Sequence, residues 1–101
     1  MPRHFLLMYT LSADYLERRG EFRAVHLGLA QAAAARGELL MAGALSEPAD
    51  TALLLFIGEG SEAAEAFAHA DPYVQNGLVL SWQVRPWTTV AGPLAAQPVA
   101  L

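Results

Sequence analysis

Residues 38–58 read ELLMAGALSEPADTALLLFIG, and this stretch decides the fold. Glu38–Leu45 and Thr51–Gly58 are two apolar runs of strand length, uninterrupted by proline. Between them Ser46-Glu47-Pro48-Ala49-Asp50 carries turn chemistry. A connection this short returns the chain beside itself as an antiparallel hairpin, because a parallel pair needs a crossover of a dozen or more residues. Leu53 to Ile57 are apolar on both alternating sets, so both faces of the sheet are expected to be covered.

Outward from the hairpin, each flank repeats one pattern of helix and strand. On the N-terminal side Arg3–Leu11 (RHFLLMYTL) is an aromatic and aliphatic strand. Ser12 is placed to cap a short helix over 13–19, and Gly20 interrupts it. A longer helix over 21–36 ends at Gly37, with Phe22, Val25, His26, Leu29 and Ala33 as its inner stripe. On the C-terminal side Ser61 is placed to cap a helix through His69. Asp71-Pro72 opens a further helical turn, which Asn76-Gly77 closes. Leu78–Trp87 (LVLSWQVRPW) is a strand with Leu80, Trp82 and Val84 on one side and Ser81, Gln83 and Arg85 on the other. The order βαββαβ is that of a ferredoxin-like α+β fold with a four-stranded antiparallel sheet. Residues 1–88 are expected to form this domain. Residues 89–101, with Gly92, Pro93 and Pro98 and no periodicity, read as an irregular tail that frays or drapes over a neighbour.

Composition narrows the function classes. The 101 residues are 54% hydrophobic and only 16% charged, against roughly 25% charged in an average soluble domain. So much apolar surface exceeds what one small core hides, and with the doubly apolar third strand it predicts a homodimer. The net charge is −4 with no lysine and six scattered arginines, which disfavours nucleic acid as a partner. No apolar run reaches the roughly 20 residues of a membrane span. The N-terminus fits a secretory signal poorly, so a cytoplasmic location is the default expectation. Without cysteine there is no disulfide, thiolate nucleophile or cysteine-ligated metal. His4, His26 and His69 have no diagnostic ligand spacing, so no metal or other cofactor is expected.

Two segments could carry chemistry: Arg23-Ala-Val-His26 and Asp71-Pro72-Tyr73. With Phe22 at the centre of the stripe, His26 lies about 40° away and Arg23 about 100° away. His26 is therefore at the border of the buried face, where an imidazole can reach a cleft and act as acid or base near neutral pH. A carboxylate on its second nitrogen would fix the tautomer, and Asp71 is the candidate. Plainer readings stand beside these: His26 as a packed core residue, Asp71 as the N-cap before Pro72, and Tyr73 as a half-buried aromatic with a polar tip. Ser46 lacks a nucleophile setting, and Trp82 and Trp87 read as core and interface residues.

Arg23-x-x-His26-Leu27, Leu39-Leu40-Met41-Ala42-Gly43, Ala70-Asp71-Pro72-Tyr73-Val74 with Gly77, and Val84-Arg85-Pro86-Trp87 together resemble the YCII-related family, in order, over about residues 3 to 88. The resemblance implies a dimeric α+β barrel with a cleft near the dimer interface, and His26 and Asp71 as the active-site pair. It also implies proton transfer, elimination or dehalogenation on small cyclic or aromatic compounds. The short 46–51 connection and the apolar end after Trp87 depart from many relatives. The expectation is thus a cofactor-independent lyase or isomerase-like enzyme, with His26 and Asp71 catalytic and Arg23 and Tyr73 binding substrate. The rival reading is a non-catalytic dimeric module that holds a small ligand, and a weaker third is a cofactor-free monooxygenase on the same barrel.

Overall fold

The computed structural model describes residues 1–101 and contains β1 (Arg3–Leu11), α1 (Tyr15–Arg18), a 3₁₀ turn (Arg19–Glu21), α2 (Arg23–Ala35), β2 (Leu39–Ala44), β3 (Thr51–Gly58), α3 (Glu62–Ala70), α4 (Pro72–Gln75) and β4 (Val79–Trp87). The four strands form one sheet in the order β2-β3-β1-β4, and all three ladders are antiparallel. This is the ferredoxin-like α+β fold expected from the hairpin and its flanks. No helix is long and apolar enough to cross a membrane.

Alternation along the two central strands sorts the residues by face. Phe5, Leu7, Tyr9 and Leu11 of β1 and Ala52, Leu54 and Phe56 of β3 are buried under the helices. There they join Ala64, Phe67 and Ala68 of α3, Tyr73 of α4 and Leu78 in one core. Burying each large side chain stabilises the fold by about 1.5–3 kcal/mol. The opposite set, Leu6, Met8, Leu53, Leu55 and Ile57, is only half-buried. The register pairs Leu6 with Leu55 and Met8 with Leu53, so this open face carries a continuous apolar strip.

Both glycines that end helices do so by the same backbone device. Arg36 caps α2, Gly37 follows at φ 80°, and the amides of Gly37 and Glu38 donate to the carbonyls of Ala34 and Ala33. At the end of α4, Gly77 stands at φ 78°, and the amides of Gly77 and Leu78 donate to Val74 and Tyr73. Each is a Schellman motif, which needs a left-handed residue at that position.

Several local expectations are corrected. Val25 is 62% exposed rather than part of the inner stripe. The stripe runs through Phe22, His26, Leu29, Ala30 and Ala33, and its centre lies toward the Ala30 side, which turns Val25 outward. Neither serine caps its helix by a side-chain hydrogen bond. The hydroxyl of Ser12 is drawn to Asp14 (2.7 Å) and that of Ser61 to Glu65 (2.6 Å), stronger acceptors within reach. Leu80 is 66% exposed because the β1–β4 register shifts by one residue beside it, so Val79, not Leu80, pairs with Leu11. The tail beyond Trp87 holds no helix or strand, as expected of an irregular segment, and within it the amides of Gln97 and Val99 donate to the carbonyls of Thr89 and Val90.

Candidate active site

Pro72 is the local origin of the site. The residue before a proline is pushed out of helical geometry, and Asp71 adopts φ −74° and ψ 121°, ending α3 and capping α4. Its Oδ1 accepts the Tyr73 amide at 3.0 Å. The same carboxylate reaches across to α2, where His26 Nδ1 lies 2.9 Å from both oxygens. It also accepts the Tyr9 hydroxyl of β1 at 2.8 Å. One fully buried carboxylate thus joins two helices and the central strand.

The imidazole is held on three sides. Its ring stacks on Tyr73 at 3.9 Å with 10° between planes, and meets Phe67 edge-on at 5.9 Å. An ionised carboxylate only accepts, so Nδ1 carries the proton toward Asp71. Nε2 is then the free nitrogen, and His26 keeps 14% of its side chain exposed. That exposure opens onto a cavity of about 300 Å³ between α2 and the β1–β3–β2 part of the sheet. The cavity wall is mostly apolar, with Leu11, Leu27, Ala30, Leu39 and Leu54 among its residues, and Arg19 and Arg23 also line it.

The four residues expected to act together are therefore adjacent. His26 and Asp71 are hydrogen-bonded, and Tyr73 and Arg23 line the same cavity as His26. Tyr73 is buried rather than half-buried, at 2% exposure, because its ring is enclosed by His26 and, edge-on at 5.7 Å, by Tyr15. Asp71 fills the capping role and the orienting position at once. His4 and His69 stand elsewhere: His4 Nδ1 contacts Thr89 Oγ1, and His69 meets Trp82 edge-on.

Residues 3–88 match the profile of the YCII-related domain. The chain belongs to the YCII-related family. Protein YciI of Escherichia coli is 37% identical over 87 residues, covering 77% of this chain and 89% of the relative, and the Shigella flexneri protein gives the same values. Among solved structures, 5-chloro-2-hydroxyhydroquinone dehydrochlorinase from Burkholderia phenoliruptrix, in complex with 2,5-dihydroxybenzoquinone, has a TM-score of 0.70 at 19% identity, covering 85% of this chain and 94% of its own. An antibiotic biosynthesis monooxygenase candidate from Bacteroides thetaiotaomicron has a TM-score of 0.59 at 18% identity, covering 92% of this chain and 93% of its own. At these identities the two structures share the ferredoxin-like fold with this YCII-related chain.

Sequence reading missed Tyr9, Tyr15 and Arg19. Tyr9 had a usable signal: it falls on the inward set of β1, and a buried tyrosine hydroxyl needs a partner. Burial, then the charge of Asp71 and the hydrogen bond to it, push the Tyr9 phenol well above its ordinary range. Burial likewise raises Tyr73, with Arg23 and Arg19 acting in the opposite direction. Tyr9 consequently stays protonated in the fold at pH values where an unfolded phenol, with a pKa of about 10, ionises. The unfolded chain then binds fewer protons than the folded one, so stability falls as pH rises above about 10. Tyr9→Phe is expected to lower stability at neutral pH by about 1.5–3 kcal/mol and to flatten that alkaline limb. Urea midpoints measured across the alkaline range check both parts, and an unchanged limb in the variant would assign the effect to another group.

Proposed function

We propose that this YCII-related protein is a cofactor-independent enzyme that moves a proton on a small organic compound, as a lyase or isomerase, and works as a homodimer. The observation that carries the reading is the His26–Asp71 hydrogen bond, with the free Nε2 beside an apolar cavity. Nε2 takes a proton from an acidified carbon of the substrate, and Asp71 stabilises the imidazolium that forms. The electron pair left on carbon makes a double bond as a neighbouring leaving group departs with its own pair. In an isomerisation the imidazolium returns the proton to a different carbon. Arg23 attracts the anionic part of the substrate, and Tyr73 holds the imidazole plane and walls the cavity. A dehydrochlorinase on the same fold is consistent with elimination chemistry here.

Pairing is read from the open face. The cavity reaches Gly43 of β2, and Gly43 pairs across the ladder with Leu53 of the apolar strip. The cavity lies on the helix side of the sheet and the strip on the other, so a second copy seated on the strip meets the cleft only around the β2 edge.

The test begins with a thermal-shift screen of small cyclic acids, lactones and phenols, followed by product analysis of every stabilising compound. His26→Asn is expected to lower turnover by on the order of 10²–10⁴ while the folded dimer persists. Turnover that survives the substitution removes His26 from the mechanism. Ligands that bind without ever yielding product would make the protein a binding module.

A further inference from the structure

Beside His26 the cavity carries further polar groups that do not themselves move the proton. Arg19 and Arg23 both line it. No carboxylate of the chain pairs with either, whereas Arg18 and Arg36 are paired with Asp14 and Glu38. The Arg19 guanidinium lies over the Tyr15 ring, 5.6 Å from its centroid. Tyr15 and Tyr73 are themselves buried, at 6% and 2% exposure, and both line the cavity. Neither hydroxyl has a hydrogen-bond partner in the protein, unlike that of Tyr9. The only sealed and unpartnered side-chain atom in the chain is His4 Nε2, so neither phenol hydroxyl is sealed in the core. Arg19, Arg23, Tyr15 and Tyr73 thus line one and the same cavity.

We propose that Arg19, Arg23, Tyr15 and Tyr73 form a carboxylate subsite, and that the substrate is a compact monocyclic carboxylic acid whose anionic group is distinct from its reacting carbon. Two cations left without counter-charges and two unpaired phenol donors are what a carboxylate oxygen pair needs. Such groups beside an apolar wall favour an anion over a neutral phenol or quinone of the same size. The volume of about 300 Å³ stands at the lower limit of ordinary ligand pockets, which favours one ring over two. The inference deepens the reading of the site as an enzyme centre and rests on it for the word substrate, but not for the binding itself.

Calorimetric titration of the full chain with benzoate and with its neutral isostere benzamide, near pH 7.5 at low salt, tests it. Benzoate is expected to bind at least about tenfold more tightly than benzamide. The double variant R19Q/R23Q, with its fold checked by circular dichroism, is expected to lose that about tenfold preference, while benzamide binding stays as it was. Equal binding of benzoate and benzamide, a benzoate affinity untouched in R19Q/R23Q, or no saturable benzoate binding would each overturn the subsite. Those outcomes leave the role of His26 in turnover standing, just as turnover surviving in His26→Asn would leave the carboxylate preference standing.

Discussion

Asp71→Ala is expected to be the most damaging single substitution in the chain, lowering stability by about 3–5 kcal/mol. The carboxylate is fully buried and accepts from the Tyr9 hydroxyl, the Tyr73 amide and His26 Nδ1. Alanine removes the α4 cap, worth about 1 kcal/mol. It also strands the Tyr9 hydroxyl, 1% exposed, at about 1–3 kcal/mol for a buried donor without an acceptor. Urea denaturation measures the loss, and a cost under about 1 kcal/mol would show that water replaces the carboxylate. Asp71→Asn separates chemistry from stability. Its oxygen keeps the Tyr73 amide, while its NH₂ group takes the Oδ2 position, facing the Tyr9 hydroxyl and His26, and favours Nδ1 as an acceptor. The imidazole proton then moves to Nε2, the nitrogen toward the cavity, and the base is lost. Loss of turnover approaching the ~10⁴-fold effect of the same exchange in a serine-protease triad is expected. Ring ¹⁵N chemical shifts read the tautomer directly without any substrate. An unchanged Nδ1–H signal in Asp71→Asn would separate His26 from Asp71 control.

What could be read from the sequence followed its physical range. The βαββαβ order rests on short-range signals: the 46–50 turn, the glycines at 37 and 77, and alternation along β1 and β4. Asp71 before Pro72 was equally local, and the cap formed as the dipeptide dictates. The convergence of Tyr9 with Asp71, 62 residues apart, has no local signature, since nothing near Tyr9 marks its acceptor. Arg19 and Tyr15 escaped notice because the short helix over 13–19 was read for its cap alone, while the fold brings both residues to line the cavity. Ser12 and Ser61 failed as caps because propensity counts a hydroxyl near a helix start and not the carboxylate that competes for it. Leu80 failed because a one-residue bulge reverses facing without altering the apolar pattern.

The second large effect is expected on association. Leu53→Glu places a carboxylate at the middle of the open face, where Leu53 pairs with Met8 on one side and Gly43 on the other. In a lone subunit this position is half-exposed, so the substitution should change subunit stability by no more than about 1 kcal/mol. In a sheet-on-sheet dimer the same carboxylate must leave water without a partner, at several kcal/mol for each ion. Symmetry places the charge on both copies. The dissociation constant is therefore expected to rise by at least about a thousandfold, the equivalent of about 4 kcal/mol. Sedimentation velocity should show the wild-type chain as a dimer at micromolar concentration and the variant as a monomer. A wild-type chain that sediments as a monomer throughout would remove the pairing, and the apolar strip would then need another cover. Because Gly43 also borders the cavity, the monomeric variant discriminates further. If the partner completes the cleft, turnover falls with dimer content while the His26 tautomer stays as in wild type. If one subunit holds the whole site, turnover per subunit is unchanged on dissociation.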